Sequence, residues 1–187
     1  CYTIQELRSL FPELPIVGVV PAIKTAAEQT KNGKIGLIAT PATVKSPYVG
    51  ELIKKFAPNV KVTSIGCAGL EDAVEKGNLD GPDLSKLLDK YLLSLKKEGV
   101  DHLVLGCTHY PFLKDKIGAV LGPKVKLIDS GKAVGGQVKF LLNENSLLNS
   151  GLKTKDMFFS NKDADDFSRV ATQLLGYKIE SELAKTF

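Results

Sequence analysis

Along most of this chain a short run of β-formers gives way to a turn and then to a helical stripe. That alternation limits the fold more than any other feature. "KIGLIAT" (34–40), "NVKVTSI" (59–65), "DHLVLG" (101–106) and "VKLID" (125–129) read as strands, with "PIVGVV" (15–20) before them and "MFFS" (157–160) after. Ser46 suits an N-cap and Pro47 a first helical position, and Val49, Leu52, Ile53 and Phe56 follow at helical spacing. "GLEDAVEKG" (69–77) is a short helix stopped by Gly77. Over 82–98, Leu84, Leu87, Leu88, Tyr91, Leu92 and Leu95 form one apolar stripe, closed by Gly99. A helix begins at Pro111, another carries Val134, Val138 and Leu142, and a last one carries Phe167, Val170, Ala171 and Leu174. Strands alternating with helices imply an α/β fold with a largely parallel sheet.

In such sheets ligands sit beyond the carboxyl ends of the strands. Those ends supply Thr40 and Thr43, then Cys67, then Cys107, Thr108 and His109, then Asp129 and Ser130. Cys107 and His109 matter most. If the strand ends at Gly106 and a helix starts at Pro111, the thiol lies just ahead of a helix N-terminus. Free amides, the helix dipole and a nearby imidazolium would all pull its pKa down toward neutrality. A buried thiol in an ordinary loop is the competing reading. One Cys-x-His pair supplies two metal ligands where a site needs three or four, so no metal is expected. His102, early in its strand, reads as structural or surface. Asp129 and Ser130 read as a hinge or helix cap, with a pocket role left open. No Gly-x-Gly-x-x-Gly stretch and no Walker loop occurs, so a dinucleotide or P-loop reading has no anchor.

Composition narrows the class. A length of 187 residues, 43% hydrophobic and 25% charged, allows one substantial core or two small domains. The net charge of +4 rests almost wholly on scattered lysines, with Arg8 and Arg169 the only arginines, which speaks against a nucleic-acid partner. No apolar run reaches membrane-span length, and "CYTIQELRSLF" lacks the basic and apolar regions of a signal peptide. Cys1, Cys67 and Cys107 are widely spaced and read as free thiols of a reducing compartment. A chain opening on Cys rather than Met points to further sequence upstream.

"LGCTHYPFL" (105–113) resembles the signature around the second catalytic cysteine of the glutamate racemases, in the aspartate/glutamate racemase superfamily. "ELPIVGVVPAIKTA" (13–26), "KIGLIATPATVKSPYV" (34–49), "SIGCAGLEDAVEKG" (64–77), "IDSGKAV" (128–134) and "MFFSNKDADDFSRVATQLLG" (157–176) resemble further segments in the same order. The resemblance implies a cytoplasmic bacterial isomerase that interconverts L- and D-glutamate without a cofactor. Its product would enter peptidoglycan synthesis, and with it cell wall biogenesis and cell shape. It implies two pseudo-symmetric lobes, each a mostly parallel sheet flanked by helices, with the site in the cleft. One lobe would span 22–130. Residues 1–21 and 131–187 would belong to the second, whose N-terminal portion is absent. Catalytic roles fall on Cys107 and Cys1, with His109 and Glu75 in support. Thr3, Thr40, Thr43 and Thr108 would hold the substrate. Glutamate is the only partner implied, with no membrane or nucleic acid, and a homodimer is compatible with it. The sequence departs from the family at "CYT", where Tyr2 replaces the Asn of Cys-Asn-Thr, and the family's upstream Asp and Ser have no counterpart. Two alternatives stay open: a racemase of another acidic substrate, and a catalytically incomplete ligand-binding chain.

Overall fold

Four parallel strands form the main sheet of the computed structural model, which describes residues 4–149, 151 and 155–184. They are β1 (Lys34–Ala39), β2 (Lys61–Gly66), β3 (His102–Leu105) and β4 (Lys126–Ile128), in the order β2-β1-β3-β4. Parallel neighbours need a crossover, and helices supply it each time. α3 (Pro41–Lys45) and α4 (Pro47–Phe56) join β1 to β2. α5 (Leu70–Glu75) and α6 (Pro82–Glu98) join β2 to β3. A 3-10 turn (Tyr110–Leu113) running into α7 (Lys114–Leu121) joins β3 to β4. The expected helix at Pro111 thus begins one residue earlier, as a tighter 3-10 turn.

Side-chain alternation along the strands makes two cores. Ile38, Leu103 and Leu105 face α5, α6 and α7, where they meet Leu70, Val74, Leu88, Leu92, Leu95 and Ile117. Ile35, Leu37, Val104 and Ile128 face the other way, toward Ile23 and Ala26 of α2 (Ile23–Gln29) and Val49 of α4. This is the two-sided burial that parallel sheets require. Gly36 lies under α6: a Cβ there would stand 2.8 Å from Leu103 Cδ1 and 3.1 Å from Leu95 Cδ1, so glycine lets the helix sit close. Each fully buried leucine of α6 contributes roughly 1.5–3 kcal/mol gross of burial. Gly99, with φ 74°, ends that helix in the left-handed conformation.

The rest of the chain is thinner. α1 (Ile4–Leu10) precedes the extended segment 15–20. β5 (Phe158–Ser160) and β6 (Ser181–Leu183) pair in parallel as a second, two-stranded sheet, with α9 (Ala164–Leu175) between them in sequence. α8 (Gly131–Glu144) links the main sheet to this part; none of its residues is buried, and Phe140 is 56% exposed. α1, α2, α3 and β6 were not foreseen. Segment 15–20, expected to be a buried strand, belongs to neither sheet. A strand exists only by pairing; here the Ile16 carbonyl accepts two hydrogen bonds from the Arg8 guanidinium, at 3.1 and 2.8 Å.

At the amino ends of the strands one carboxylate ties the turn before β1 to the start of β3. Asp101 accepts from the Thr30 hydroxyl (2.7 Å) and from the amides of Lys31 (2.7 Å) and Asn32 (3.0 Å). His102 Nδ1 lies 2.8 Å from the same carboxylate, which settles this buried histidine in a structural position. Burial works against the charge on Asp101, but the bonds from Thr30, His102 and the two amides outweigh it and hold the carboxyl well below the usual range. A depressed folded-state pKa stabilises the fold above the unfolded value of about 4 and loses that effect as pH falls through the folded value. Asp101→Asn is therefore expected to cost about 1–3 kcal/mol at pH 7. In urea unfolding followed across pH, the gap between the two proteins should close in acid. A gap that stays constant would contradict this account.

Candidate active site

All four main strands point the same way, so the residues that follow them gather on one edge. Two glycines govern how closely they gather. At Gly106 a Cβ would stand 2.8 Å from Leu37 Cδ1 and 3.0 Å from the Ile38 carbonyl oxygen. At Gly66 it would stand 2.9 Å from Pro41 Cα. Each glycine is followed by a cysteine, so Cys67 and Cys107 leave the same edge of the sheet at β2 and β3, on either side of β1. Their environments differ. Cys67 is fully buried, and its thiol is pushed up to about 12 by burial and secondarily by Glu71. That makes it a core thiol held in its neutral form. Cys107 is half-buried and lines a cavity of about 230 Å³.

Thr40, Thr43, Thr108 and Ser130 supply the other polar groups of that cavity, and Val19, Val20 and Pro21 form an apolar wall. Thr40 is the N-cap of α3, accepting from the Thr43 amide at 3.3 Å, and the two threonine hydroxyls lie 2.9 Å apart. Three of the four threonines expected at the substrate thus share one cavity with the expected cysteine. Cys1 and Thr3 lie outside the described residues. His109 and Glu75 stand behind Cys107 and not on the same wall. His109 Nδ1 is 3.5 Å from Cys107 Sγ, and His109 Nε2 is 3.1 Å from Glu75 Oε1. The line Cys107–His109–Glu75 is a continuous hydrogen-bonding path. Glu75 is 65% exposed, so the His109–Glu75 pair orients the ring more than it adds stability, about 0–1 kcal/mol at most.

The direction of the Cys107 shift overturns the expectation of an acidified thiol. The amides of His109 and Tyr110 do pull its pKa down, as a strand-to-helix turn should. Burial is the larger effect and pushes it up, and the carboxylates of Glu71 and Glu75 push the same way. The thiol therefore sits above its ordinary value. Asp129 and Ser130 also separate in role. Asp129 pairs with Lys114 and accepts from the Gly131 amide at 2.7 Å, which keeps its carboxyl low. Ser130 lines the cavity. Sequence reading missed Glu71, Tyr110 and the 19–21 wall. The Glu71/Glu75 spacing of one helical turn was the available signal for the first.

Comparison with known proteins identifies the family. The family described as Asp/Glu/Hydantoin racemase matches residues 1–137, and the chain belongs to it. A glutamate racemase of Pseudomonas entomophila is 38% identical over 172 residues, covering 92% of this chain and 65% of that protein. The crystal structure of glutamate racemase isoform RacE1 from Bacillus anthracis superimposes with a TM-score of 0.82 at 32% identity, covering 96% of this chain and 68% of that one. Escherichia coli glutamate racemase, solved with L-glutamate and the activator UDP-MurNAc-ala, gives 0.80 at 32% identity, over 96% and 68%. The chain spans 65% of the length of the first curated relatives it matches.

Because Gly106 admits no Cβ, Gly106→Ala is expected to lose about 1–3 kcal/mol by overpacking. Gly118, inside α7 with nothing within 4 Å of the corresponding point, is the control. Gly118→Ala should be neutral or stabilising by about 0.5–1 kcal/mol. Urea unfolding of the two variants checks the contrast; equal effects would refute it.

Proposed function

We propose that this chain acts as a cofactor-independent glutamate racemase, which interconverts L- and D-glutamate by two-thiol proton transfer between Cys107 and Cys1. The observation that carries the reading is the half-buried Cys107 thiol beside Thr40, Thr43, Thr108 and Ser130 at the carboxyl edge of the sheet, backed by His109 and Glu75. It is supported by the glutamate bound in the Escherichia coli relative.

Racemisation removes the α-hydrogen from one face of the substrate and returns a proton to the other. Cys107 as thiolate takes the proton from L-glutamate, and Cys1 as thiol delivers one to the opposite face. The carbanion between the two steps is consumed, one sulfur gains a proton, the other loses one, and the reverse direction exchanges the roles. Thiols suit the task because modest shifts populate either form near neutrality. A raised Cys107 favours the acid form at rest, so forming the thiolate falls to His109, which accepts its proton while Glu75 steadies the ring. The α-hydrogen is far less acidic than a thiol, so the cavity must stabilise negative charge with fixed donors and exclude water. Thr40, Thr43, Thr108 and Thr3 are the hydroxyls for the substrate carboxylates.

In this reading the lobe spanning 22–130 bears Cys107. Residues 1–21 and 131–187 belong to a second lobe. The crossings near 21 and 130 act as hinges; Pro21 and Ser130, which stand at them, both line the Cys107 cavity. The product is D-glutamate for peptidoglycan, made in the bacterial cytoplasm.

Either glutamate enantiomer incubated in deuterated water should lose optical activity while deuterium enters the α-carbon. Cys107→Ser should cut turnover about a hundredfold or more in both directions with the circular dichroism spectrum unchanged. Full turnover in that variant, or a requirement for pyridoxal phosphate, would defeat the proposal. Saturable glutamate binding without exchange would favour a ligand-binding chain instead.

A further inference from the structure

α5 presents two carboxylates, not one, to the turn that bears Cys107. Glu71 and Glu75 are four residues apart, one helical turn, and so share a face. Glu75 meets His109. Glu71 meets the next residue: its Oε2 lies 3.5 Å from the Tyr110 hydroxyl. Tyr110 has no exposed surface, and its single hydroxyl proton is shared between this carboxylate and the Cys67 carbonyl, the nearer acceptor at 3.0 Å. Tyr91 of α6 donates to the adjacent Ala68 carbonyl, also at 3.0 Å. The loop from β2 into α5 is thus fastened on two successive carbonyls, and α5 is held against the Cys107 turn. Tyr110 in turn donates its amide to the Cys107 carbonyl at 3.2 Å.

We propose that Glu71 is a second acidic positioning residue of the Cys107 turn, seated by the Tyr110 hydroxyl and setting a fixed negative charge toward the thiol. The inference rests on the reading of Cys107 as the proton-transferring group. The titratable groups around the thiol are Glu71 and Glu75 from α5 and His109 from its own turn, with the Tyr110 phenol set among Cys67, Glu71 and Cys107. The end of β1 contributes the uncharged Thr40 and Thr43. Of the two carboxylates, Glu71 acts on Cys107 more strongly than Glu75 does. Burial, with Cys67 and Glu71 behind it, keeps the Tyr110 phenol protonated, so it stays a donor. Glu75 would therefore orient the histidine, while Glu71 would keep the resting thiol in its acid form.

The test reads the thiol itself, without substrate. Iodoacetamide alkylation of Cys107 is followed at pH 7.5 by peptide mass spectrometry. Glu71→Gln keeps the shape and removes the charge; the alkylation midpoint should fall by about half a pH unit. The rate at pH 7.5 should rise about threefold. The increase should shrink in high salt. Glu71→Asp, which keeps the charge, should return most of the way to the wild-type rate. Tyr110→Phe releases the carboxylate toward water and should reproduce part of the increase. A Glu71→Gln rate equal to wild type would overturn the inference, as would equal increases in the Gln and Asp variants. A wild-type rate in Tyr110→Phe would overturn the seating role. Turnover of Cys107→Ser judges the racemase reading separately, so each can fail without the other.

Discussion

Parallel pairing is the constraint on which the structure rests. A parallel neighbour cannot be reached by a tight turn, so each connection in the main sheet climbs back through a helix. The helices then bury both faces of the sheet, and every carboxyl end emerges on one edge. Thr40, Cys67, Cys107 and Ser130 are far apart in sequence and adjacent in space for this single reason. The glycines that close β2 and β3 refine it, because without a Cβ the chains can turn out of the sheet in direct contact with their neighbours.

Charge at that edge is set by opposition. Burial and two carboxylates favour the protonated Cys107 thiol, while two amides of the following turn favour the thiolate. A site whose opposing influences are of similar kind and close range is easy to bias by small movements. Drawing an imidazole closer or excluding a carboxylate changes the balance without any rebuilding of the sheet. Cys67 shows the contrasting case, where burial dominates and the thiol is silent.

Much of this was legible in the sequence where local pattern and tertiary demand coincide. The stripe on 82–98 became α6 with the foreseen boundaries, since its apolar spacing and its glycine stop agree. Strand ends were legible because Gly-Cys follows an apolar run twice. Segment 15–20 was misread because an apolar run does not disclose whether a partner strand is present. The helix with Val134 and Val138 was correctly placed, but its exposure was not foreseen, since periodicity reports a face and not what covers it. The sign of the Cys107 shift was missed for a different reason. A turn before a helix is visible in sequence, but the depth of burial and the approach of Glu71 depend on how α5 packs.

The Asp101 clasp lies at the opposite edge of the sheet from the thiol, and that separation divides the pH scale between them. Its carboxylate holds the amino edge together until strongly acid conditions, whereas Cys107 changes charge only on the alkaline side. Loss of architecture and ionisation of the reactive group therefore fall in different ranges. Unfolding in acid carries the signature of the clasp, and a change in thiol reactivity at alkaline pH belongs to the carboxyl edge. The molecule thus bears a built-in way of telling a silenced site from a loosened fold.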